Sequence, residues 1–230
     1  MTRDNMLTVH HLNNSRSHRI LWLLEELGVN YDIKYYQRDP KTFQAPSSLK
    51  AIHPLGLSPV ITDGEITVAE SGAIIEYILY KYGQNRLKPE LGTADWLQFN
   101  YWMHFAEGTL MPMLFLKLVL ANIVYHTPFF VKPIVKSIQS KVNMALIKPR
   151  LTRYMSLIEN ALGKSEWLAG NEFTAADIQM AIPLLWAAED FEVLQLSPHI
   201  KAFLASIQNR PAFKKCIDKG GSLTRVSRSK

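Results

Sequence analysis

The chain has 230 residues, 47% of them hydrophobic and 20% charged, with 26 Lys and Arg against 20 Asp and Glu. At about 150 residues per domain this is one large domain or two small ones, with ample apolar material for a core. Its 12 prolines and 11 glycines exclude a collagen-like or low-complexity chain, and the single cysteine, Cys216, excludes an internal disulfide framework and a multi-cysteine metal site. The net charge of +6 raises nucleic acid or an anionic membrane surface as partners, and composition does not decide between them.

Met1 to Asn5 are polar, and the first apolar run, Met6 to Leu12, is broken by Thr8, His10 and His11. No secretory signal is read there, so the expected location is the cytoplasm. The most apolar long stretch, Thr109 to Tyr125, is interrupted by Pro112, Lys117 and Asn122. Since a spanning helix needs about 20 mainly apolar residues, this stretch is expected to be a buried or amphipathic helix.

The first eighty residues alternate between strand and helix periods. Leu7 to Leu12 is a short strand, ended by Asn13-Asn14. Arg16 to Leu27 follows as a helix, with Ile20, Leu23, Leu24 and Leu27 on one face and Gly28 at its stop. Tyr31 to Tyr36 is a second strand, and a βαβ unit of this length implies parallel pairing and a right-handed crossover. A Pro-punctuated loop spans Asp39 to Pro59. Val60-Ile61-Thr62 and Glu65 to Val68 then flank Asp63-Gly64, a hairpin signal, and Ala73 to Tyr82 is a helix ended by Gly83. The layout is thioredoxin-like. Asn85 to Gly92 reads as a linker, and beyond it only helices are expected, over Asp95 to Ala121, Pro128 to Gly163, Thr174 to Phe191 and Ser197 to Asn209. The expected fold is α/β plus all-α: a domain over 1–84, a helical bundle over 93–218, and a flexible basic tail over 219–230.

Four local features carry chemistry. Ser15, between the first strand and helix, lies where free backbone N–H groups favour negative charge and a hydroxyl can stabilise a thiolate. Ser15 or Ser17 as an ordinary helix cap fits equally. In His53-Pro54-Leu55-Gly56-Leu57-Ser58-Pro59-Val60, a cis Pro59 would leave the Ser58 backbone free to pair with a bound peptide, whereas a trans proline at a strand start is the plainer alternative. Glu70-Ser71 suits an amino-acid head group, with Ser71 also a cap for the next helix. Thr174 and Asp177 form a capping-box-like pair, with Phe173 and Ile178 as a hydrophobic staple, and read as a folding signal. His10 and His11 point to opposite faces of a strand, which argues against a shared metal, and no metal residue is assigned.

Taken together and in order, these segments resemble the cytosolic glutathione S-transferases, and most closely the serine-type, theta-like bacterial and fungal classes. The resemblance runs from Leu7 to Phe213 and rests on Arg19 to Gly28 (RILWLLEELG), the HPLG-x-SPV loop, the Asp-Gly hairpin, Glu70-Ser71 and the Thr174 to Asp177 box. It implies a homodimeric enzyme that takes glutathione as co-substrate, with no prosthetic group, and directs its thiol at hydrophobic electrophiles in detoxification, with peroxide reduction as a further activity. The alternative is a non-enzymatic binding or regulatory member. Carried over, Ser15 activates the thiol, with Asn13, Asn14 and Ser17 as rival contacts. Ser58 and Pro59 hold the cysteinyl portion, and Glu70 and Ser71 hold the γ-glutamate. Leu57 stands where the family often has a polar residue, so the glycyl carboxylate falls to Gln44, His53 or Lys41. The electrophile is expected against Leu12, Tyr101, Trp102, Phe105, Met111 and Phe115.

The charge is local. Residues 117–158 hold seven basic side chains and no acidic one, and residues 210–230 hold seven and one, while residues 1–82 are nearly neutral. No nucleic-acid-binding motif accompanies them. The run Phe129-Phe130-Val131-Lys132-Pro133-Ile134-Val135-Lys136 leaves membrane-surface contact open.

Overall fold

The computed structural model describes residues 6–40, 42, 44–188 and 197–223. The N-terminal part runs β1 (Thr8–Leu12), α1 (Ser17–Leu27), β2 (Asp32–Tyr36), a 3₁₀ turn (Ser47–Ala51), β3 (Val60–Asp63), β4 (Ile66–Ala69) and α2 (Ser71–Tyr82). The sheet order is β2-β1-β3-β4, with β1 parallel to β2 and the remaining pairs antiparallel. This is the expected thioredoxin-like layout. Gly28 ends α1 at φ 68°, donating its N–H to the Leu24 and Glu25 carbonyls, a conformation that costs a residue with Cβ far more.

The hairpin differs by one residue from expectation. Asp63 pairs with Ile66, so Gly64 and Glu65 form the turn, with Gly64 at φ 61°. A glycine in the first central position suits a turn whose twist matches the strands. Asp63 is thereby kept in the ladder and buried, and its carboxylate accepts from Tyr77, Tyr82 and Lys81 at 2.7, 2.6 and 2.6 Å. Burial alone would raise its pKa, but the three donors outweigh it and hold the carboxyl below the usual range. The cluster ties the hairpin to α2.

The C-terminal part is helical, as expected: α3 (Ala94–Phe105), α4 (Met111–His126), α5 (Lys132–Val142), α6 (Lys148–Leu162), α7 (Ala175–Ala188), α8 (Pro198–Asn209) and α9 (Pro211–Gly220). The two long helices expected over 95–121 and 128–163 both contain a π-helical turn, at Ala106–Leu110 and Asn143–Ile147. Each turn lies just ahead of a proline, Pro112 or Pro149, near the start of the next helical stretch. A proline has no N–H to return and its ring crowds the carbonyl four residues back, so a wider turn at that point relieves the ladder. Residues 189–191 of the helix expected over 174–191 lie outside the described residues.

Sequence reading missed α9. Lys219 and Gly220 belong to it rather than to a tail; residues 224–230 lie outside the described residues. This helix returns to pack on α1, where buried Cys216 donates to the His18 carbonyl at 3.2 Å. Arg210 grips Glu26 with two bonds of 2.6 and 2.8 Å, while its guanidinium lies 3.7 Å over the Phe173 ring. Phe173 also meets the rings of Trp22 and Trp167. One core therefore runs from the sheet through α1 into the bundle.

Asp177, fully buried, organises the turn before α7. It accepts the Leu168 N–H at 2.9 Å, the Thr174 N–H at 2.8 Å and the Thr174 hydroxyl at 3.0 Å. The Thr174 hydroxyl thus donates to the carboxylate instead of capping, and the Asp177 N–H bonds to the Thr174 carbonyl. Burial pushes this carboxyl up to about 6, against the pull of its donors. Substituting Asp177→Ala strands two buried N–H groups and a hydroxyl, each worth about 1–3 kcal/mol, so stability measured by urea unfolding is expected to fall by about 3 kcal/mol or more.

Candidate active site at the interdomain cleft

A cavity of about 360 Å³ opens between the two parts of the chain. From the sheet side it is lined by Arg16, Leu55, Leu57, Ser58, Pro59 and Ala69 to Ala73, and from the helical side by Met103, His104, Glu107, Gly108 and Gln179. The Ser58–Pro59 peptide is cis. Glu70 has φ 74°, a backbone region that side chains bearing Cβ rarely occupy, and it delivers the chain directly into α2. No side chain caps that helix. The first-turn N–H groups of Ser71, Gly72 and Ala73 precede the helix's own ladder and stand at the cleft wall, where the helix dipole adds positive potential.

Ser15 is buried just behind this wall. Its hydroxyl lies 3.5 Å from the Ser58 hydroxyl and accepts the Ser17 N–H at 3.2 Å, in the manner of a capping serine. It also sits 2.7 Å from the Ser17 hydroxyl. Ser17 in turn is 2.8 Å from His11 Nδ1, and His11 Nε2 is 2.9 Å from the Gly220 carbonyl of α9. The directions follow from chemistry. A carbonyl only accepts, so neutral His11 carries its proton on Nε2 and presents a lone pair at Nδ1. Ser17 therefore donates to His11, and Ser15 donates to Ser17. Burial, reinforced by neighbouring His18, brings the His11 pKa down to about 4 and keeps the ring neutral. Ser58 donates its own hydroxyl to the His10 carbonyl at 2.9 Å.

Opposite Ser15, Glu107 projects from the first π-helical turn. It pairs with Arg16 at 2.9 Å and also with Arg19, which is fully buried. The Arg19 Nε and Nη2 atoms find no hydrogen-bond partner among the described residues. Burial lowers the Arg19 pKa from its usual value, and Glu107 is the counter-charge that opposes this.

Several expected positions fall elsewhere. Leu12 is buried with Tyr36 and Leu49 in a small separate core. Trp102, Phe105 and Met111 are buried in the main core, and Phe105 packs on Tyr101, Trp102 and Tyr154. Tyr101 lines surface hollows with Leu157 on another face. Phe115 is exposed but does not line the cleft. The reason is helical phase: Met103, His104, Glu107 and Gly108 form a stripe roughly opposite Tyr101 and Phe105, and the π turn shifts the register again before Met111. Gln44 and His53 also lie outside the cleft lining; Gln44 is tied by its backbone to Asp39 and Thr42, and the His53 ring accepts the Leu55 N–H. Lys41 lies outside the described residues. Asn13 accepts the Arg38 N–H through its side chain and is turned to that loop. Leu57 lines the cleft, with 59% of its surface exposed. Sequence reading missed Arg16, Leu55, His104, Glu107 and Gly108. The one legible signal for the last two was a charge and a glycine breaking an apolar helix.

Two outcomes are expected from this geometry. Glu107→Gln leaves the buried Arg19 charge unanswered and should cost about 3–5 kcal/mol, whereas Arg16→Gln, at a partly exposed pair, should cost less than about 1 kcal/mol. Equal losses in chemical denaturation would contradict the clamp. His10 and His11 both titrate near 4 when folded, against an ordinary 6.5. The unfolded chain therefore binds more protons between these values, so stability is full above pH 6.5 and declines as pH falls toward 4. A flat urea midpoint across that window would contradict it.

Comparison with known proteins agrees with this geometry. Residues 5–80 match the family model for the glutathione S-transferase N-terminal domain, and residues 125–211 match the C-terminal domain. Glutathione S-transferase 3 of Schizosaccharomyces pombe is 36% identical over 214 residues, covering 93% of this chain and 88% of that protein. Glutathione S-transferase 1 of Saccharomyces cerevisiae is 30% identical over 229 residues, covering 95% and 97%. The crystal structure of a glutathione S-transferase from Actinobacillus pleuropneumoniae superposes with a TM-score of 0.75 at 32% identity, over 95% of this chain and 94% of that one. By fold, family models and relatives alike, the chain belongs to the glutathione S-transferase family.

Proposed function

We propose that the chain is a serine-type glutathione transferase in which Ser15 stabilises the thiolate of glutathione bound in the interdomain cleft. The observation that carries this reading is the oriented hydroxyl chain ending at Ser15, 3.5 Å from Ser58 at the cis Ser58–Pro59 turn. In this reading the γ-glutamyl carboxylate sits on the Ser71 hydroxyl and the open N–H groups at the start of α2, and Glu70 receives the ammonium group. The Ser58 backbone pairs with the cysteinyl portion, as an added strand pairs with a sheet edge. The Ser15 proton then turns from Ser17 to the sulfur, and a hydrogen bond to the ionised form lowers the thiol pKa. The thiolate attacks an electrophile held against Met103, His104 and Gly108, forming the new C–S bond as the leaving group departs. Nearness and thiolate supply account for the rate.

Ser17 and His11 act as positioning residues, because they set where the Ser15 proton points. Peroxide reduction uses the same thiolate: sulfur attacks the O–O bond, and a second glutathione releases the disulfide. A homodimer is part of the proposal, supported by Tyr80, Leu91 and Leu97, which are largely exposed apolar side chains on one copy. A reducing compartment such as the cytoplasm suits both glutathione and the lone buried thiol of Cys216.

Ser15→Ala is expected to reduce kcat/KM for glutathione conjugation to a chloronitrobenzene by about 100-fold, the scale of one lost donor at a developing or resident anion. The KM for glutathione should change little, while the ultraviolet thiolate titration of the bound ligand moves to higher pH. Ser17→Ala should move the same titration in the same direction by less. An unchanged rate and titration in Ser15→Ala would remove Ser15 from its role, and absence of glutathione binding by the wild type would end the reading.

A further inference from the structure

The hairpin of α4 and α5 is unlike the rest of the surface. The helical run Ala94–His126 is long and apolar enough to cross a membrane by length and composition, yet only 17% of its most apolar window is buried. In α4 only Met111, Leu114 and Val124 are buried, and in α5 no residue is. At the tip, Phe129 and Phe130 are 86% and 70% exposed, their rings packed edge to face on each other rather than on the core. Ile134 and Ile138 continue this apolar surface along one face of α5. Lys132 and Lys136 flank that face on one side and Lys141 on the other, at helical spacing.

We propose that this hairpin docks on the interfacial zone of a membrane bearing anionic lipid. Two features select that partner. Residues 117–158 carry seven Lys and Arg and no Asp or Glu. A second copy seated on this face would set cation against cation, with no acidic group in the stretch to answer them. A purely polyanionic partner such as nucleic acid would leave two phenylalanine rings and two isoleucines against water. A lipid headgroup layer satisfies both demands: acyl chains take the rings, headgroups take the lysines, and lysine stems lie across the boundary. The placement serves the cleft, because Glu107 and Gly108 lie on the same helical run, about 25–30 Å from the tip at 1.5 Å per residue. Hydrophobic molecules that partition into a membrane are thereby concentrated near one wall of the site.

The experiment is co-sedimentation of the purified full chain with phosphatidylcholine vesicles and with 7:3 phosphatidylcholine–phosphatidylserine vesicles, at low and high salt. Retention on the anionic vesicles is expected, weakening as salt rises. Lys132→Gln/Lys136→Gln/Lys141→Gln should weaken it about 100-fold, from about fivefold per cation near such a surface. Phe129→Ser/Phe130→Ser should abolish it. Both variants alter surface side chains, so unchanged thermal melting is expected and shows that the fold survives. No retention by the wild type overturns the proposal, as does equal retention on neutral vesicles or retention indifferent to both variants. An oligomer that falls apart in Phe129→Ser/Phe130→Ser also overturns it, by showing that a second copy covers the face.

Discussion

The arrangement depends on one buried cation. Arg19 sits on α1 with none of its surface exposed, and Glu107 of the helical part answers it. A guanidinium deprived of water is tolerable only with a counter-charge held in place. That requirement fixes how the bundle sits against the sheet: α1 cannot keep Arg19 inside unless the 106–110 turn brings Glu107 over it. The same carboxylate reaches Arg16 at the cleft, so the contact that joins the two parts also shapes the wall of the site.

The π-helical turn makes this possible. A regular helix running through 94–126 would carry the residues after Glu107 around in unbroken phase. An extra residue in the turn resets that phase at Pro112 and lets the apolar face of α3 stay in the core while Glu107 and Gly108 face the cleft. On the other side, the hairpin clamp at Asp63 holds α2, whose open N-terminus faces the same cavity. Two polar clusters, one on each side, thus set the geometry of a mostly apolar molecule.

Much of this was legible in the chain. The alternation of periods over the first eighty residues, the helix stop at Gly28 and the Glu70-Ser71 entry to α2 are local signals, because each is decided by residues adjacent in sequence. The hairpin was readable to within one residue, and the slip came from Asp63, whose side-chain partners lie on α2 and so were invisible to turn chemistry. The wall of the cleft contributed by helices was misread for the same reason. Aromatic residues at helical spacing mark a face, but only tertiary packing tells whether that face meets the core or the cavity, and Trp102, Phe105 and Met111 met the core. Helix α9 escaped notice because Lys214, Lys215 and Lys219 give the segment the look of a solvated tail, while its packing face, Phe213 and Cys216, is short.

The bond between His11 and Gly220 spans 209 positions. His11 is made near the start of synthesis, and the carbonyl that fixes its tautomer is made near the end. At about 5–20 residues per second, roughly 10–40 s separate them on the ribosome. A nascent chain can assemble its sheet and α1 in that interval, yet the hydroxyls of Ser17 and Ser15 have no set direction until α9 docks. The last helix therefore acts as a keystone, and the orientation of the site's hydroxyl chain waits on completion of the fold.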